Sequence, residues 1–110
     1  MMEGEHMADD ALGTKFDEEM LHVYQRAHSE ANYTATRFLH MLHEHGGLET
    51  ARILLHSANV SEGYTALWER GRLDLTVEAV IYDNPKWYPL FTQDELAICK
   101  DRLKDYHYLK

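Results

Sequence analysis

At 110 residues, 45% hydrophobic and 27% charged, the chain is long enough for one packed core and too short for two, and its composition excludes a wholly disordered protein. A formal net charge of −8 argues at first against a partner rich in phosphate, and no apolar run approaches the ~18 residues that span a bilayer. The one cysteine, Cys99, permits no internal disulfide. The acidic opening MMEGEHMADD lacks the basic-then-apolar order of a signal peptide, so a cytoplasmic location and no membrane partner are expected.

The acidity is concentrated at the start. The first 20 residues hold seven acids against Lys15 alone, which is −6 of the total −8. The remaining 90 carry seven of the eight histidines. The expected division is therefore an acidic, flexible tail over residues 1–13 and a single helical domain over residues 14–110.

Beyond the tail, Phe16, Met20, Val23, Tyr24 and Ala27 recur at helical spacing and predict a first helix over about residues 15 to 29. Thr14 is its expected cap, with Asp17, Glu18 and Glu19 in the first turn where the helix dipole favours acids. Asn32 or Thr34 caps a second helix carrying Phe38, Leu39, Met41 and Leu42, and Gly46-Gly47 stops it, because glycine reaches backbone angles closed to other residues. Residues 48–56 form a third helix with Leu48, Ala51, Leu54 and Leu55 inward. Ser61 caps a fourth, bearing Tyr64, Leu67 and Trp68 and ended by Gly71.

Thr76 caps a fifth helix with Glu78 in its first turn and with Leu75 and Val80 as a hydrophobic staple. In NPKWYPLF the two prolines push Asn84 and Tyr88 toward extended geometry, leaving Trp87, Leu90 and Phe91 to plug the core. Thr92 and Glu95 have the spacing of a capping box, flanked by Phe91 and Leu96. They start a sixth helix whose inner face is Leu96, Cys99, Leu103 and Tyr106. The expected fold is all-α, a compact orthogonal bundle of about six short helices.

Taken together, Tyr24-x-x-Ala27, Tyr33, Phe38-x-x-Met41-Leu42, Gly46-Gly47-x-x-Thr50-Ala51, Leu54-Leu55, GRLDLT-x-E over residues 71–78 and LFT-x-x-EL over residues 90–96 resemble a small all-helical domain found in many bacterial proteins. The resemblance covers nearly the whole chain beyond the tail. It implies one compact fold and, since that group has no assigned activity, carries over no catalytic residue, cofactor or ligand.

Candidate chemistry is sparse. His40, His43, His45 and Glu44 include pairs at i, i+3 and i, i+4 on one helix face, which supply two metal ligands where a site needs three or four. The chain is accordingly expected to hold no metal and no cofactor, with metal binding by the His40–His45 cluster as a remote alternative. Cys99 on an apolar stripe suits a buried, inert thiol. Ser57 and Ser61 lack a nucleophile elbow or phosphate loop around them, and Asp74 with Glu78 reads as helix capping plus an ion pair to Arg72. No enzyme is expected.

The helix–turn–helix rhythm of residues 50–71 keeps weak nucleic-acid binding as an alternative. Arg52, His56, Arg70 and Arg72, even as one positive patch, fall short of the six or more phosphates a stable complex neutralises. The aromatics Tyr64, Trp68, Tyr82, Trp87 and Tyr88 near Arg70 and Arg72 fit a protein-binding surface better, since Trp, Tyr and Arg dominate such surfaces. Tyr64, Trp68, Arg70 and Arg72 are the candidate partner-binding residues of a non-enzymatic interaction module.

Overall fold

The computed structural model describes the backbone of residues 2–109 and the side chains of residues 11–109. Five α-helices follow in order: α1 Met2–Ala31, α2 Thr36–Leu55, α3 Glu62–Glu69, α4 Val77–Tyr82 and α5 Gln93–Asp105. Two 3₁₀ turns, Leu73–Leu75 and Pro85–Leu90, flank α4. Helix α2 is broken at Gly46 (φ 80°, ψ 171°) into two arms, so six helical arms and no strand stand among the described residues. The fold is all-α, and its radius of gyration of 13.9 Å is near the ~13 Å of a single compact unit of this length.

The side chains of residues 1–10, most of the expected tail, lie outside the described residues. Residues 11–13 belong to α1, and Leu12 already packs against the main core. Thr14 therefore sits inside the helix instead of capping it, because the apolar stripe begins a turn earlier than Phe16.

The glycine pair performs two separate tasks. Gly46 takes the left-handed φ that ends the first arm of α2, and Gly47 allows α1 to pass close by: a Cβ there would stand 2.9 Å from the Asp17 backbone. Asp17 Oδ1 accepts the Gly47 N–H at 2.7 Å. An acid expected to serve the start of α1 thus caps the second arm of α2, 30 residues away, satisfying one of that arm's orphan donors.

Ser61 accepts the Tyr64 N–H, Thr76 accepts the Ala79 N–H, and Thr92 forms the full capping box with Glu95. Gly71, with φ 71°, closes α3. The start of α2 differs from expectation. Ala35 holds its cap position without a side-chain bond, since the Thr34 hydroxyl lies 2.9 Å from His28 Nδ1 and Asn32 makes the left-handed turn after α1. The proline segment also differs. Tyr88 and Pro89 lie within a 3₁₀ turn, a geometry whose φ suits proline, and only Asn84 before Pro85 is extended.

The largest apolar cluster joins Phe16 and Met20 of α1, Ala51 and Leu55 of α2, Val77 and Ile81 of α4, Trp87, Phe91 and Cys99. Phe16 stacks edge-on against both Trp87 and Phe91 at 5.2 and 5.4 Å, geometry that adds to simple burial. A second cluster joins Tyr64, Leu73, Ala79 and Leu103, and a third joins Ala27, Leu67 and Leu75. Leu75 and Val80 pack in different clusters, so the staple expected at α4 does not form.

Candidate functional site

Helix α3 has eight residues, and its side chains divide sharply between core and solvent. Tyr64 and Leu67 point inward. Trp68, next to Leu67 in sequence, is 47% exposed and is one of two large apolar side chains, with Leu21, that stand out in solvent among the described residues. Its ring is held edge-on by Tyr106 at 5.4 Å, and Tyr106 in turn packs edge-on against Tyr64 at 5.0 Å. Tyr64 is only 1% exposed and donates its hydroxyl hydrogen to the Arg102 carbonyl at 2.9 Å. Of the two aromatics expected at a partner surface, then, Trp68 presents the surface and Tyr64 lies beneath it in the core.

The two arginines that follow are pinned in place. Arg70 donates from Nε to the Ala31 carbonyl (3.1 Å) and from a terminal nitrogen to the Ala66 carbonyl (2.9 Å), and its guanidinium lies 5.1 Å from the centre of the Tyr33 ring. It ties the end of α1 to α3 while staying exposed. Arg72 grips Asp74 with two bonds, at 2.9 and 3.0 Å, and reaches Glu30 at 2.8 Å. Glu30 also receives Arg26, and hydrogen bonds from Arg26 and then Arg72 hold its carboxyl down to about 2. Arg72 thus balances two carboxylates and serves mainly to fix the loop after α3.

Arg52, His56, Arg70 and Arg72 do not engage a common set of partners. Arg52 and His56 gather instead on Glu95, with His56 Nε2 2.8 Å and Arg52 Nε 3.7 Å from Oε2. Asp74 keeps its expected pairing with Arg72, whereas Glu78 pairs with Arg102 at 2.9 Å. Burial pushes the Glu78 carboxyl above the usual range, with the Arg102 charge opposing. Arg102 also donates to the carbonyls of Leu54, Leu55 and Ser57, closing the end of α2. Nothing in local spacing marks this residue's partners, which lie on α4 and at the end of α2.

His40, His43 and His45 stand exposed, and among the described residues no group of three His, Cys, Asp or Glu side chains converges to hold a metal. The Cys99 thiol is fully buried, and burial, then the Glu78 charge, pushes it up to about 12. The Ser57 hydroxyl donates to the Ile53 carbonyl and the Ser61 hydroxyl caps α3, so both are occupied locally. No described helix is long and apolar enough to cross a membrane.

Sequence reasoning missed a cavity of about 400 Å³ between the end of α1, the first arm of α2 and the Ser57–Tyr64 turn. Val23, Phe38, Met41, Leu54 and Leu67 line its body, with Tyr24, Tyr33 and Arg37 among the polar-tipped residues around them. The four apolar residues that the sequence places on the first arm of α2, Phe38, Leu39, Met41 and Leu42, are only half-buried in the fold, which no local spacing foretells. Compared with protein-family models, curated proteins and solved structures, the chain finds no match.

Proposed function

We propose that this chain is a non-enzymatic binding module that captures a protein partner around the end of α3, a ledge with Trp68 held by Tyr106 on one side of the helix and Arg70 against Tyr33 on the other. The observation that carries the reading is Trp68, a large apolar ring left 47% exposed yet held by Tyr106. A pre-fixed aromatic gives large contact area with little ordering cost, as an interface anchor does, and an exposed arginine two residues on adds a charged contact. The partner segment fitted to it offers an apolar side chain to cover the indole and a carboxylate for the outer edge of Arg70. Tyr64 supports Trp68 from beneath through Tyr106, and Arg72 fixes the loop that follows α3.

The test is quantitative affinity capture from the source cell with the wild-type chain and with Trp68→Ala combined with Arg70→Glu, both checked for equal helical circular dichroism. Loss of an anchor of at least 2 kcal/mol lowers affinity about thirtyfold, so a specific partner should disappear from the variant. A partner set unchanged by the double substitution would place the interface elsewhere.

A further inference from the structure

The cavity beside α2 has a size and chemistry that the partner surface does not use. Its volume of about 400 Å³ lies within the ~300–1,000 Å³ of small-molecule sites, and such sites combine an apolar body with a few polar groups that orient the ligand. Two carboxylates line it. Glu78 is paired with Arg102, and Glu62 sits in the first turn of α3, against that helix's own positive end. Arg37, which also lines the cavity, is exposed and has no carboxylate within ion-pairing distance among the described residues. Its position is at the start of α2, where Ala35 supplies no capping oxygen and the first turn contains no acid. Arg37 is therefore a lining cation with no carboxylate partner among the described residues, at a helix start that has no acid of its own.

We propose that this cavity binds an anionic amphiphile, a medium-chain carboxylate whose hydrocarbon body lies against Val23, Phe38, Met41 and Leu67 and whose head group meets Arg37. The apolar lining favours the chain, and the unbalanced guanidinium selects a carboxylate over an alcohol or an amine.

The full-length protein, labelled with ¹³C at its methionine methyl groups, would be titrated with hexanoate, octanoate and decanoate and with decanol and decylamine. The Met41 methyl signal should move and that of Met20, sealed in the main core, should stay. Affinity should rise roughly fourfold with each added methylene until the cavity is filled. Arg37→Gln, an exposed substitution, should weaken decanoate about tenfold while leaving decanol unchanged, and Ile53→Trp should fill the cavity and abolish both. The proposal is overturned if decanoate at about 1 mM, a weak-ligand concentration, moves no Met41 signal, if decanol or decylamine binds as tightly as decanoate, or if Arg37→Gln binds decanoate as the wild type does. None of these readouts involves Trp68, so the site stands or falls separately from the partner-binding ledge.

Discussion

Helices α4 and α5 begin alike and use their first-turn glutamates in opposite ways. Each is entered through a threonine with nearly the same extended backbone, Thr76 at φ −77°, ψ 155° and Thr92 at φ −79°, ψ 164°. Each threonine hydroxyl accepts the N–H three residues on. In α5 that third residue is Glu95, whose carboxylate turns back to accept the Thr92 N–H at 2.9 Å. In α4 the third residue is Ala79, and the glutamate stands one place earlier, where it cannot reach its own cap and instead meets Arg102 across the core at 2.9 Å. A shift of one residue thus separates a local cap from a long-range tie. The tie recruits Arg102 to the end of α2, so the start of α4, the last turn of α5 and the end of α2 are held by one guanidinium.

The largest effect expected from this contrast is at Arg102. Arg102→Ala strands the buried Glu78 charge and frees three carbonyls, and should cost about 3–5 kcal/mol in urea unfolding. Glu95→Ala removes a cap whose cationic partners, His56 and Arg52, are exposed to solvent, and should cost about 1 kcal/mol. Equal costs for the two would erase the distinction between tie and cap.

The two threonines sharpen the same contrast at smaller scale. Thr76 is buried, and its hydroxyl both donates to the Leu73 carbonyl at 2.7 Å and accepts from Ala79 at 3.2 Å. Thr76→Ala leaves the buried Ala79 N–H without its partner, while the Leu73 carbonyl keeps the residue-76 backbone N–H, and should cost about 1–3 kcal/mol. Thr92→Ala, at an exposed cap, should cost about 1 kcal/mol. Thermal unfolding of the pair, compared at equal protein concentration, gives the order directly.

How far these features are legible in sequence follows from how local their causes are. Ser61, Thr76 and Thr92 are set by bonds spanning three residues, and Gly46 and Gly71 by their own backbone angles, so each is visible from its neighbours. The inward stripe of Phe16, Met20, Val23 and Ala27 needs only helical periodicity. Thr34 fails as a cap because His28, on another turn of chain, takes its hydroxyl, and Asp17 serves Gly47 for a reason that exists only once α1 lies across α2. The candidate site is legible in part for the same reason. Trp68 and Arg70 can be picked by residue type and neighbourhood, but Tyr64 and Trp68 are four apart on one helix and look equivalent until Tyr106 inserts between core and solvent. The cavity is walled by residues spread from Val23 to Glu78, and no spacing announces it.

The smallest effect is a change in the acid limb of stability, and it should have opposite signs at the two glutamates. For Glu95, burial alone would raise the carboxyl, but the Thr92 N–H, the His56 ring and the Arg52 charge together hold it below the ordinary range. A lowered folded-state value means that its stabilisation is present above the unfolded carboxylate value of about 4.3 and is lost as pH falls through the folded value. Glu78 is raised by burial, so its contribution is fully present below the unfolded value and is lost as pH rises through the folded one. Urea unfolding between about pH 3 and pH 6 should therefore show a shallower loss toward acid in Glu95→Gln than in wild type, and a steeper one in Glu78→Gln. The same direction of change in both variants would mean that Arg102 compensates Glu78 as fully as the capping box serves Glu95, and that the one-residue offset has no electrostatic consequence.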